Sequence, residues 1–199
     1  MHFQQKKLRY EKYHVKVLKS VLKNDKIRTR NVHVHEMSGA LQKGRIAMLY
    51  IGIDLGTSAV KLLLMDGAGQ IKKIVSKEYP IYFPHPGWSE QKPEDWFTGT
   101  MDGLKELLDG CAKDQVAGIS FGGQMHGLVI LDQNDQVIRP ALLWNDGRTW
   151  EECDYLNNVI GKEKLSEYTA NIAFTGFTAP KILWIKNKEP EHFARIAKI

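Results

Sequence analysis

Asp54-Leu55-Gly56-Thr57-Ser58-Ala59-Val60-Lys61 places a carboxylate at the end of an apolar run, two hydroxyls in a tight Gly-Thr-Ser turn, and an amine on the run that leaves it. Such a turn gathers backbone N–H groups and hydroxyls at one point, and those donors suit phosphate oxygens. Asp54 can hold a hydrated Mg²⁺ that offsets phosphate charge, and Lys61 adds a further positive charge. The chemistry indicated is nucleoside triphosphate binding around Gly56, Thr57, Ser58 and Lys61. An ordinary hairpin is the alternative, because Gly, Thr, Ser and Asp populate turns generally. There is no G-x-x-x-x-G-K-[ST], and no G-x-G-x-x-G opens a helix, so both a Walker-type P-loop and a Rossmann site are disfavoured.

Gly122-Gly123-Gln124-Met125-His126-Gly127 lies between two apolar runs. Its glycines let backbone approach a ligand, and Gln124 and His126 offer the neutral hydrogen bonds that a row of sugar hydroxyls needs. Taken alone, it also reads as a strand connection with a satisfied histidine. Trp144-Asn145-Asp146-Gly147-Arg148 packs an aromatic, an amide, an acid and a guanidinium into five positions, a set able to stack on and hydrogen-bond a sugar. Its ordinary reading is a turn at Asp146-Gly147 with Trp144 as a core anchor. Trp88-Ser89-Glu90-Gln91 is either a sugar-edge loop or a connector leading into a helix.

The elements that must position these groups begin at Met48. MLYIGID, AVKLLLMD and QIKKIVSKEYPIYF are strand-like runs separated by short turns, which predicts an antiparallel three-strand meander. PEDWFTGTMDGLKELLDGC follows with Trp96, Phe97, Met101, Leu104, Leu107 and Leu108 at helical spacing behind Pro93. VAGISF and GLVILD read as two buried strands, a helix runs from about Thr149 to Val159, and another begins with Thr178 as N-cap and Pro180 in its first turn. The order is β-β-β-α-β-β-α, a layered α/β domain. No repeat or low-complexity tract interrupts it.

Charge divides the chain at the same point. Residues 1–47 hold 12 Lys+Arg against 3 Asp+Glu, and the remainder holds 16 against 20, so the net charge of +5 belongs to the head. An acidic body gives no attraction for a polyphosphate backbone, and no nucleic-acid partner is expected. Three readings of the basic head stay open: a start called too early with Met48 as the true start, a solvated basic arm, and a targeting peptide. Cys111 and Cys153 are isolated thiols without zinc-ligand spacing, which suits a reducing, cytoplasmic setting. No run approaches the length of a membrane span.

Taken in order, YIGIDLGTSAVK, PHPGWSEQKPEDW, GISFGGQMHGLVILD, PALLWNDGR and FTAPKILWIKNKEPE closely resemble the beginning of the FGGY family of carbohydrate kinases, from Met48 to Ile199. The Gln-Met-His-Gly and Trp-Asn-Asp-Gly-Arg forms are similar to its pentulose kinases rather than its glycerol kinases. The resemblance implies a ribonuclease-H-like domain of the actin-like ATPase class, with a mixed sheet and helices on both faces. Residues 48–199 would be an incomplete N-terminal domain, with the C-terminal nucleotide domain absent. It implies ATP-dependent, Mg²⁺-assisted phosphorylation of D-xylulose to D-xylulose 5-phosphate in a parent enzyme that can be a homodimer. Ribulose, gluconate or glycerol are the alternative substrates. Carried onto matching positions, Asp54 stands near Mg²⁺ and the transferring phosphoryl group, and Gly56, Thr57, Ser58 and Lys61 line the phosphate turn. Met125 and His126 contact the sugar, with Trp144, Asp146 and Arg148 as further pocket members. The proton-accepting aspartate of the family falls beyond residue 199, which implies an inactive chain. A non-catalytic binding fragment is the reading outside the enzyme class.

Overall fold

The computed structural model describes residues 48–199; the basic head lies outside the described residues. The expected meander is present. Strands β1 (Leu49–Leu55), β2 (Ala59–Asp66) and β3 (Ile71–Glu78) pair antiparallel in sequence, joined by the Gly-Thr-Ser turn and by a turn in which Asp66 Oδ1 accepts from the amides of Ala68 and Gln70. A two-stranded patch is formed by β4 (Glu90–Gln91) and β6 (Ala141–Leu142). Between them in the chain, β5 (Val116–Gly123) adds to β1 in parallel, giving a mixed sheet in the order β3-β2-β1-β5.

Helix α1 (Pro93–Leu107) supplies the crossover between β3 and β5. Pro93 starts it with the fixed φ and missing N–H that a first helical position tolerates, and Glu94 and Asp95 complement the positive helix end. Side chains alternate across the pleat, so Ile51, Ile53, Val60, Leu62, Leu64 and Val75 share one face and meet Leu104, Leu107 and Leu108. Burying each of these leucines stabilises the fold by roughly 1.5–3 kcal/mol. Phe97, expected on the apolar stripe, is 54% exposed and lies off it. The opposite sheet face carries Gly52, Asp54, Lys61 and Leu63, none of them fully buried.

Two expected buried strands differ in kind. VAGISF does form β5, but it is an edge strand among the described residues, so its side chains are largely half-buried or exposed. GLVILD is extended and pairs only through isolated bridges: Leu128 exchanges both backbone hydrogen bonds with Leu142, and Leu131 bridges Val137 and Lys198. Leu128 and Ile130 are nonetheless buried, in a second core with Leu142, Trp184 and Ile185.

The C-terminal third is helical. The helix expected from Thr149 begins as α2 (Trp150–Asp154), widens into a π-helical turn over Tyr155–Gly161, and continues as α3 (Lys162–Thr169), which Ala170 ends in a left-handed conformation. Then come α4 (Thr178–Lys188) and α5 (Pro190–Arg195). Phe177, not Thr178, occupies the N-cap of α4; the Thr178 hydroxyl donates instead to the carbonyl of His126.

Candidate functional site

The parallel pairing of β1 with β5 brings the two glycine-bearing motifs to one end of the sheet. Asp54 lies opposite Gly122 on one side and opposite Lys61 on the other, so acid and amine share a row and a face. A Cβ at Gly122 would stand 3.8 Å from Asp54 Oδ1, and its absence leaves the carboxylate's flank open. Just beyond, the amide of Gln124 donates to the Leu55 carbonyl at 2.8 Å, locking the Gln124–His126 segment against the end of β1.

The Gly-Thr-Ser turn is aimed by Tyr79, which the sequence did not mark, and by Gln91, which it offered only as part of a sugar-edge loop or a connector. Gly56 N–H closes the hairpin onto Ala59 O at 3.0 Å, so this amide, one of the expected phosphate donors, is already used. The turn's carbonyls all point inward. Tyr79 donates its phenol to Gly56 O and its amide to Ser58 O, while Gln91 Nε2 donates to Thr57 O at 2.7 Å. Because a trans peptide directs its C=O and N–H to opposite sides, pinning the carbonyls of Gly56 and Thr57 inward turns the amides of Thr57 and Ser58 outward. No hydrogen bond among the described residues uses those two amides. Burial, and then the charge of Asp54, push the Tyr79 phenol up to about 12. Gln91 is fully buried, and its Oε1 accepts from Trp96 Nε1 and from Gln124 Nε2, so the Trp88–Gln91 segment is a scaffold beneath the turn.

Met125 and His126 are exposed at the mouth of this site. His126 has φ of 64°, a left-handed conformation uncommon outside glycine, and its ring stacks on Phe177 with centroids 4.4 Å apart. Gln124, expected to share sugar contacts with His126, spends its amide on Gln91. Trp144 is 48% exposed, and its indole N–H donates to the Thr57 hydroxyl at 3.1 Å. The α4 entry packs tightly behind it, where a Cβ at Gly176 would come within 2.5 Å of the Trp144 carbonyl oxygen.

Asp146 and Arg148 have another place than the one expected. They are 1% and 7% exposed, and the Asp146 carboxylate is occupied by the amides of Ser89 and Arg148 and by the guanidinium of Arg148. Arg148 also reaches Glu90 at 2.7 Å and lies flat 3.7 Å above the Trp88 ring, and Arg139 joins Glu90 to Glu189. A guanidinium stacked and forked in this way holds the Trp144 loop, the Trp88 loop and α4 in register. Both side chains are buried, and their ionic partners lie within this network.

Among the described residues no cluster of three His, Cys, Asp or Glu could hold a metal ion by itself. A single exposed carboxylate with outward amides beside it fits Mg²⁺ held through water and phosphate oxygens, the arrangement Mg²⁺ favours over an all-protein cage.

A mixed sheet opening with an antiparallel meander, with a phosphate-type turn and a polyhydroxyl-type loop at one end, is the arrangement of a sugar kinase domain. The model of the FGGY family of carbohydrate kinases, N-terminal domain, matches residues 49–199, and the chain belongs to that family. It is 49% identical over 150 residues to the xylulose kinase of Bacillus subtilis (strain 168), covering 74% of this chain and 30% of that protein. Among solved structures, a xyloylose kinase from Brucella ovis is 40% identical with a TM-score of 0.70, covering 75% of this chain and 31% of the other. A gluconate kinase from Lactobacillus acidophilus is 28% identical with a TM-score of 0.72, covering 76% and 31%. The chain thus spans about a third of the length of the relatives it matches.

Proposed function

We propose that residues 48–199 are the sugar-binding part, and one side of the phosphate cradle, of an ATP-dependent D-xylulose kinase that forms D-xylulose 5-phosphate. The observation that carries this is the Trp144–Thr57 hydrogen bond, which joins the loop suited to a sugar to the turn suited to a phosphate. In this reading His126, Met125 and Trp144 bind the ketose. The amides of Thr57 and Ser58, with Lys61, face the phosphate chain, and Asp54 holds Mg²⁺ through water. Mg²⁺ would supply charge neutralisation of the transferring phosphoryl group. In this reading the proton-accepting carboxylate and the adenosine site lie outside the described residues. The setting is the cytoplasm, with no nucleic-acid or membrane partner, and the parent enzyme can be a homodimer. No helix among the described residues is long and apolar enough to cross a membrane.

The gluconate kinase likeness supports a second reading, a different FGGY sugar kinase, because a few hydrogen bonds decide among polyols. Isothermal titration of the chain with D-xylulose, D-ribulose, gluconate and glycerol separates the two. Selective D-xylulose binding that His126→Ala weakens supports the proposal. Preference for another polyol moves the assignment to that kinase.

A further inference from the structure

Lys181 is the largest fully buried side chain, and it sits in the first turn of α4. Both facts run against expectation. Lysine is seldom buried without a partner, and the amino-terminal end of a helix disfavours a cation. A leucine or methionine would fill the same space. The ammonium instead reaches three backbone carbonyls: His126 at 3.1 Å, Gly176, and Phe177 at 3.5 Å.

These acceptors are the backbone anchors of one structure. The His126 ring stacks on the Phe177 ring, and Lys181 holds the carbonyls of both residues. The Thr178 hydroxyl adds a second donor to the His126 carbonyl at 3.3 Å. His126 adopts its left-handed φ of 64° at this point, a conformation that persists only where its surroundings impose it. We propose that Lys181 is a positioning residue: its ammonium clamps the His126 and Phe177 carbonyls and so fixes the exposed His126 ring in the orientation that meets a sugar. This inference rests on the reading of His126 as a sugar-binding residue.

The groups facing the ammonium are Asp146 and Arg148 from the loop before α2 and Cys153 from α2. Burial lowers the Lys181 amine to about 8, and Asp146 only partly opposes that shift. The clamp is therefore mostly charged at neutral pH and loses a proton, and one donor, as the pH rises through about 8.

The test follows the ¹³C carbonyl shift of His126 in the full 199-residue chain from neutral pH upward, in wild type, Lys181→Met and Lys181→Arg, alongside titration with D-xylulose at neutral pH. In wild type the shift carries an inflection near pH 8. Any pH response that does not come from the ammonium persists in Lys181→Met and is subtracted. The inflection is absent from both variants. D-xylulose binds about tenfold more weakly to Lys181→Met, and Lys181→Arg recovers most of that loss. A role in packing alone predicts a lower thermal midpoint for Lys181→Met with unchanged D-xylulose affinity in the folded protein, and that result overturns the proposal. If Lys181→Met does not fold, the wild-type inflection and its loss in Lys181→Arg decide; a wild-type carbonyl with no such inflection between neutral pH and the ordinary lysine value of 10.5 also overturns it. If the inflection is present and wild type binds no D-xylulose, the clamp stands and the sugar assignment falls.

Discussion

The indole N–H of Trp144 donates to the hydroxyl of Thr57 at 3.1 Å across 87 positions of sequence. Thr57 stands in the turn between β1 and β2, and Trp144 ends the short run that follows β6. Because Trp144 is half exposed, the bond leaves one side of its ring open to a ligand beside the outward amides of Thr57 and Ser58. In the proposed reading this one hydrogen bond sets the distance between the sugar and the phosphate chain, the quantity that phosphoryl transfer depends on.

Trp144→Phe keeps an aromatic ring and removes the donor. A neutral hydrogen bond contributes about 1 kcal/mol, so D-xylulose affinity falls about fivefold with little change in unfolding midpoint. Titration calorimetry beside thermal unfolding separates this from a packing defect. An unchanged affinity would show that the loop is held in place without the bond.

Tyr79 supports the turn from behind, and its phenol makes that support pH-dependent. Its folded value, near 12, lies above the ordinary value of 10.0, so the folded chain keeps a proton that the unfolded chain gives up. The stabilisation is fully present below pH 10 and is lost as pH climbs toward 12. Urea unfolding across that window should show a fall in wild type that is absent from Tyr79→Phe. At neutral pH the variant should lose about 1 kcal/mol for the missing bond to Gly56. Equal slopes in the two proteins would remove Tyr79 from this role.

Arg148 gives the sharpest contrast between a scaffold and a contact residue. Arg148→Met leaves the Asp146 carboxylate buried without its counter-ion and takes one of two cations from Glu90. Breaking a buried pair in this way costs about 3–5 kcal/mol, a large part of a domain's stability. Chemical denaturation should register that loss. A variant as stable as wild type but unable to bind D-xylulose would return Arg148 to the pocket.

The meander, helix α1 and the turn between β1 and β2 were legible because each rests on local information: a period of two, a period near 3.6 behind a proline, and a Gly-Thr-Ser segment closing a strand pair. GLVILD was read as a strand because an apolar run reports burial and is silent about its pairing partner. Asp146 and Arg148 were placed in the pocket because residue types do not distinguish a charge that faces a ligand from one neutralised inside the protein, as Asp146 is by Arg148 and Arg148 in turn by the sequence-distant Glu90. For the same reason Tyr79 and Lys181 went unmarked, and Gln91 was read only as part of a sugar-edge loop or a connector. Each acts through a backbone carbonyl brought near by tertiary packing, and only the lysine left a trace, as a lone cation in the apolar first turn of α4.

The most direct test is a ¹H–¹⁵N map of the chain titrated with D-xylulose. The account predicts saturable shifts at Met125, His126, Gly127 and the Trp144 indole N–H, spreading to Thr57 and leaving the exposed side of α2 and α3 around Trp150 and Tyr168 still. Shifts centred on Trp150 and Tyr168, or a folded chain whose spectrum D-xylulose does not move, would contradict it.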